Sequence, residues 1–298
     1  MGPFIVEKQN EEPSLRCLAA MRQIYSDAKI LFAIQIVLTN IVVVLLSFVN
    51  VFHDIQWILS SYCVVVAVSD AVFIDEYISS KKEKAAIIQE MFDTSVLDIE
   101  WNDFIEKIDQ EIIFRYSEKY KKTASSFDSL KNWYSTGIKN IVDDKVKLIC
   151  QYSNCRYDLS LRNFTKIYYS VHVAISSLLV AVFALSKDVT FKNIFILILL
   201  PLLPIIVFYI QRIKENNRSI KDLNKLKKVS SEAWDKVISG KDINIPKTTR
   251  QLQNKIFKNR KDNPLIFDWF YKLHRKSLEN EMNYSVEQLV AQYNESSK

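Results

Sequence analysis

The side chains most suited to chemistry in this 298-residue sequence stand inside long apolar stretches, where charge and polarity are costly. Asp70 lies four residues from the end of the stretch 55–74, and Asn40 lies near the middle of 30–52. His172 and Ser176 fall in a third stretch, 167–186, four residues apart and so on one helical face. An ionised carboxylate within a bilayer marks a water-filled or partner-facing position, unless its depth lets it reach the headgroups. Both readings of Asp70 are open. Asn40 can hydrogen-bond between helices, within one subunit or between subunits. The His172–Ser176 face can line a polar path or serve packing alone. Asn40, Asp70, His172 and Ser176 are therefore the candidate pore or gating residues.

Signatures of catalysis are missing. Gly2, Gly137 and Gly240 stand more than a hundred residues apart, which excludes a glycine-rich phosphate loop. The histidines, His53, His172 and His274, are dispersed, and no nucleophile elbow is found. Cys150 and Cys155 are five apart with no histidine near, which is not the spacing of a zinc pair. No enzymatic activity, catalytic residue, metal or cofactor is expected, and the cysteines read as small buried residues.

The elements that must position the polar residues are four apolar stretches, 30–52, 55–74, 167–186 and 193–211, each 19 to 23 residues long. About 20 apolar residues cross the hydrocarbon core as a helix. Whole-chain averages (mean hydropathy −0.02, 25% charged) hide them, because very polar connectors lie between. Pro201 and Pro204 predict a kink in the fourth stretch. The first turn, 53–54, has no Lys or Arg and the second, 187–192, has two, whereas the opposite flanks are strongly basic. Residues 212–298 hold 19 Lys and Arg against 11 Asp and Glu. The positive-inside rule then puts both termini and the middle region in the cytoplasm. No cleavable signal peptide is expected, since the first apolar run begins at residue 30 behind a polar segment.

The fold expected is an all-α membrane protein, with four transmembrane helices arranged as two hairpins bearing cytoplasmic helical extensions. Its divisions are an N-terminal cytoplasmic helix 1–29, a first hairpin 30–76, a cytoplasmic helical region 77–166, a second hairpin 167–211 and a basic cytoplasmic helical region 212–298. Leu15, Leu18, Ala19 and Ile24, then Ala85, Ile88, Phe92 and Val96, repeat at helical spacing. Helix is expected from 77 to 101, from 103 to 122, across 130–141, from 150 into the third stretch, from 212 to 239 and from 264 to 294. A break is expected at Pro246.

Short motifs along the chain resemble the SMODS-associating four-transmembrane effector family. They are Gln9-Asn10 with 18–29 (LAAMRQIYSDAK), 85–93 (AAIIQEMFD) leading to Trp101-Asn102, Trp133-Tyr134, 149–158 (ICQYSNCRYD) with Leu161-Arg162, Asn259-Arg260 and 264–269 (PLIFDW). Tyr152 departs from the pattern, which has a second basic residue after the Cys-Gln pair.

The resemblance implies a membrane effector of a bacterial antiphage system in the inner membrane. A cyclic oligonucleotide messenger would trigger it to oligomerise or open and permeabilise the membrane. Its partners would be that messenger, the lipid bilayer, further copies of itself and a nucleotidyltransferase encoded alongside, with no DNA or RNA. Such a messenger offers phosphates and stackable bases, which call for cations beside aromatic faces. The cluster that fits is Arg156, Tyr157 and Arg162 with Trp133 and Tyr134 upstream, and Arg22 with Tyr25 forms a second. Arg156 and Arg162 equally suit the basic flank of the third span, paired with Asp158 or Asp93. The alternatives are a non-enzymatic anchor or scaffold for the synthetase, and a small channel or transporter.

Overall fold

The computed structural model describes residues 1–185 and 200–296. The turn 187–192 and the first part of the fourth apolar stretch, 193–199, lie outside them, as does the approach to Pro201 and Pro204. Among the described residues the backbone is helical or irregular, without a strand.

Helix α1, Gly2–Lys8, precedes α2, Glu12–Ile36, which passes through a wider π turn, Val37–Ile41, into α3, Val42–Phe52. Helix α4, Gln56–Ser69, likewise passes through a π turn, Asp70–Ile74, into α5, Asp75–Val96. Next come α6, Gln110–Ala124, then α7, Val146–Leu185, α8, Leu200–Ile238, α9, Ile245–Asp262, and α10, Asp268–Ser296.

Several boundaries differ from the sequence expectation. Helix α5 stops at Val96 rather than 101, and Asp98 two residues on adopts φ 47°. The next helix starts at Gln110, not 103. Segment 130–141 is irregular apart from the end of the 3₁₀ turn Asp128–Leu130 and the 3₁₀ turn Thr136–Asn140. Pro246 opens α9 instead of breaking a helix: it sits in the first turn, where its missing N–H has no partner to lose, and Asn244 Oδ1 accepts the Lys247 N–H at 2.9 Å. The final helix begins at Asp268, not 264.

The chain forms two compact units. One comprises Met1–Asp27, Lys81–Arg162 and Ser219–Lys298; the other comprises Ala28–Ser80 and Asn163–Arg218.

The first unit has an ordinary apolar core. Leu15, Leu18, Ala19 and Ile24 of α2 share one buried core with Ala85, Ile88, Phe92 and Val96 of α5, the same residues whose spacing marks each helix as one-faced. Cys150, Cys155 and Leu159 of α7, Leu223 and Trp234 of α8 and Leu252 and Ile256 of α9 complete it.

The second unit buries polar residues beside apolar ones such as Phe32, Val43, Leu59 and Ile205, and exposes much apolar surface. Gln35, Thr39, Asn40, Ser47 and Asn50 are buried, while Ile34, Ile41, Leu45, Phe48 and Phe52 of the same helical run face outward. Trp57 and Phe73 are 72% and 69% exposed. Two helical runs among the described residues are long and apolar enough to cross a membrane, Glu12–Asn50 and Gln56–Val96, and only 33% and 18% of their most apolar windows are buried. A soluble core helix would hide that surface. An outward-facing apolar surface of this extent is stable only against something equally apolar, such as lipid tails.

Candidate ligand cavity and the polar cluster of the spans

In the first unit a cavity of about 310 Å³ opens between α2, the segment 129–136, α7 and α10. This volume lies at the small end of ligand sites, about 300–1,000 Å³. Arg22 enters from α2. Its guanidinium carbon lies 6.0 Å from the ring centroid of Trp133 and 6.0 Å from that of Tyr271. Among the described residues it has no hydrogen bond or ion pair. Helix α10 contributes Tyr271, Arg275, Glu279 and Met282, whose spacing keeps them on one face. Arg275 Nε donates to Glu279 Oε1 at 2.6 Å. From α7 come Asn154 and Tyr157, the latter with its ring 6.5 Å from that of Tyr271. Burial, with Tyr271 adding to it, pushes the Tyr157 phenol far above its ordinary pKa, so it stays a neutral donor. The lining thus combines cations, ring faces and side-chain amides, which suits a phosphate ester carrying a flat base.

Trp133 reaches the cavity because residues at the N-terminus hold its segment on both sides. The buried Gln9 side chain accepts the Tyr134 N–H at 2.7 Å and donates to the Tyr134 carbonyl at 3.3 Å. Asn10 Oδ1 accepts the Asn132 N–H at 2.9 Å, and its Nδ2 donates to Asn132 Oδ1 at 3.0 Å. Asn132 takes φ 55°, which asparagine tolerates better than most residues. Trp133 is bracketed by these two clasps.

Tyr134 turns the other way. Its hydroxyl donates to Asp93 Oδ1 at 2.7 Å inside a fully buried acidic pair on α5. Arg260 bonds Asp93, Arg250 donates to Glu90 at 2.5 Å, and Gln253 donates to Glu90 at 2.8 Å and Asp93 at 3.0 Å. Gln151 of α7 donates to Gln253 at 3.0 Å and to the Thr249 carbonyl at 2.8 Å. Burial raises the Glu90 pKa, opposed by the bonds from Arg250 and Gln253. Burial alone would lower the Arg260 pKa, but Asp93, Tyr134 and Glu90 together raise it above the ordinary value.

Of the proposed ligand residues, Arg22, Trp133 and Tyr157 line the cavity, while Tyr134, Tyr25, Arg156 and Arg162 do not. Burial pushes the Tyr25 phenol up to about 12, against the opposing charges of Arg260 and Arg162. Arg156 donates to Ser285 Oγ at 3.1 Å. Arg162 is buried, donates to the Pro264 carbonyl at 2.6 Å and pairs with Asp158 at 3.3 Å. Asp93 belongs to Arg260 instead. Tyr271, Arg275 and Glu279 are among the cavity residues that the sequence does not single out. Their i, i+4 spacing is visible, but it looks like any charged helix face.

In the second unit the polar residues form a cluster. Gln35 Nε2 bonds Asp70 and donates to Asp75 Oδ1 at 3.1 Å. Arg212 pairs with Asp75 at 2.6 Å and Glu215 at 2.9 Å, and its guanidinium carbon lies 5.8 Å and 5.4 Å from the Phe32 and Phe208 ring centroids. Asp70 therefore has an internal partner, and Gln35 is the buried span residue that hydropathy alone passes over. The π turns fall beside this cluster. At the first of them side chains meet the loosened carbonyls: Thr39 Oγ1 donates to Gln35 O at 2.8 Å, Asn40 Nδ2 to Ile36 O at 3.2 Å and Tyr62 Oη to Leu38 O at 2.9 Å. Asn40 Oδ1 and Gln35 Oε1 are buried with no donor among the described residues. His172 Nδ1 lies 3.0 Å from the Tyr209 hydroxyl, their rings stacked at 5.3 Å, and Ser176 is buried.

Comparison with known proteins gives one consistent answer. The sequence profile of the SMODS-associating 4TM effector domain matches residues 3–289. A Bacillus cereus (strain VD146) protein named as a probable CBASS effector molecule is 29% identical over 290 residues, covering 93% of this chain and 95% of that protein. No solved structure matches.

Proposed function

We propose, for a chain that belongs to the SMODS-associating 4TM effector family, that it is a membrane effector of antiphage defence gated by a cyclic oligonucleotide bound in the first unit. The relative's name carries CBASS, cyclic-oligonucleotide-based antiphage signalling, and supports that context. The observation that carries the reading is Arg22, a guanidinium without a carboxylate partner among the described residues, set against two aromatic faces in a cavity. A phosphodiester supplies the missing anion and its base a stacking partner.

In this proposal the stretches 30–52, 55–74, 167–186 and 193–211 span the bacterial inner membrane as two hairpins, with both termini cytoplasmic. A nucleotidyltransferase encoded alongside supplies the messenger. Helix α2 carries Arg22 and, thirteen residues further on, Gln35. Ligand at Arg22 favours a state in which the contacts of Gln35 with Asp70 and Asp75 are exchanged, provided its affinity differs between the two states. The unpaired Asn40 and Gln35 oxygens then meet water or a neighbouring copy. So few polar residues per chain line a conducting path only in a homo-oligomer.

The test is dye release from liposomes holding the purified full chain, with cyclic di- and trinucleotides of adenine and guanine added one at a time. Release is expected with one of them and to fall at least 10-fold in Arg22→Ala and Trp133→Ala. Release independent of nucleotide, or unchanged in both variants, overturns the reading.

A further inference from the structure

We infer that Glu279 occupies the second phosphate position of the cavity, so that the site demands two phosphates rather than one; this rests on the ligand reading above. The cavity presents three cations of unequal availability. Arg22 is unpaired among the described residues. Lys131 is held by Asp128 at 2.7 Å, a residue outside the lining. Arg275 is held at 2.6 Å by Glu279, the one carboxylate among the described lining residues.

The two arginines are neighbours through one ring. Arg22 lies over the Tyr271 face, and Arg275 follows Tyr271 by one helical turn. A ligand with one phosphate satisfies Arg22 and leaves the Arg275–Glu279 pair intact. A second phosphate, carried on the same ring of nucleotides, competes with Glu279 for Arg275. The Glu279 and Arg275 side chains are 41% and 36% exposed, and ion pairs so open to water are weak and readily exchanged. Arg275 is better satisfied by a phosphodiester that also gains at Arg22 and the ring faces, because the second contact is then intramolecular. Glu279 repels any ligand that offers the cavity negative charge without reaching Arg275. It sets a threshold against the mononucleotides abundant in any cell and yields to a multiply charged ring.

The experiment measures binding to the detergent-solubilised full chain of AMP and GMP and of the cyclic di- and trinucleotides built from them. Glu279→Gln is expected to tighten the preferred cyclic nucleotide about 2- to 5-fold, the order set by an exposed ion pair. It should lower the concentration for dye release by the same factor and tighten AMP and GMP at least as much, since the charge that repels them is gone and Arg275 is open to a single phosphate. Arg275→Gln is expected to weaken the cyclic ligand about 10-fold while leaving the mononucleotide within 2-fold. Glu279→Ala repeats the first measurement with a different side chain. Unchanged or weakened cyclic binding in both Glu279 variants overturns the inference, as does equal weakening of both ligand classes by Arg275→Gln. If Arg22→Ala leaves all binding unchanged, the ligand reading itself fails, which is a separate outcome.

Discussion

Replacing Arg260 by Met leaves the Asp93 carboxylate in the interior of the first unit without its guanidinium. Asp93 is wholly buried, and the Arg260 side chain is 11% exposed. After the change Asp93 keeps the Tyr134 hydroxyl at 2.7 Å and Gln253 at 3.0 Å, while Arg250 stays on Glu90. Two buried carboxylates one helical turn apart would share one guanidinium. Breaking a buried pair from one side costs about 3–5 kcal/mol, because the remaining charge has neither water nor partner. For a domain of 150–250 residues each kcal/mol moves the midpoint by about 2–4 °C, so a fall of roughly 6–20 °C is expected. Asp93→Asn in the same chain removes the stranded charge yet keeps an acceptor for Tyr134, so the double variant should be more stable than Arg260→Met alone. The assay is a thermal ramp of the solubilised chain followed by tryptophan fluorescence, with Trp133 and Trp234 reporting on this unit. A loss below about 1 kcal/mol for Arg260→Met, or single losses that simply add in the double, would refute the account.

Two further outcomes follow from the same unit. Gln9→Leu strips partners from the buried Tyr134 N–H and carbonyl, at about 1–3 kcal/mol; because Trp133 hangs on that clasp, nucleotide affinity should fall although residue 9 does not line the cavity, and unchanged affinity would show that Asn10 suffices. Burial pushes the Cys17 thiol up to about 11 and Cys155 up to about 12, and raises Cys150 as well; at pH 8 roughly one Cys17 in a thousand is then thiolate, so peptide mass spectrometry should find alkylation of these cysteines at least about 100-fold slower than in the urea-unfolded chain, rising with pH.

Much of this architecture is legible in the residues, and the exceptions share one physical cause. The one-sided spacing of Leu15, Leu18 and Ala19 needs only the geometry of a helix to be read, and those residues are the buried ones. The irregular segment 130–141 cannot be read that way, because what holds it is a pair of amides about 125 residues earlier in the chain. Trp133 and Tyr134 look alike in sequence, yet one lines the cavity and the other seals a buried carboxylate; that choice is made by Gln9 and Asp93. Arg162 carries the charge a phosphate site wants, but a carbonyl and Asp158 already engage it. Availability, not residue type, separates Arg22 from Arg162. The π turn Val37–Ile41 is legible only in part: Thr39 and Asn40 bond carbonyls four residues back, whereas Tyr62 reaches the Leu38 carbonyl from another helix.

The charges of the first unit fall into two mechanical classes. Glu90 with Arg250 and Asp93 with Arg260 are buried and cross-linked by Gln253, joining α5 to α9, and Gln151 ties α7 to the same point. Exchanging any of them exposes a desolvated charge, so these helices behave as a stiff frame. Arg275 with Glu279 and Lys131 with Asp128 are open to water and contribute little to stability. The cavity lies where the second class meets the first: α10 and the segment 128–136 supply the exchangeable pairs, and Gln9, Asn10 and Tyr134 fasten that segment to the frame. An anionic ligand entering there competes only with weak pairs, so little of its binding free energy is lost in breaking the fold. Whatever movement it causes must therefore be taken up by α10 and by α2, the walls that hold Arg275 and Arg22, and of these α2 is the helix that continues into the apolar run.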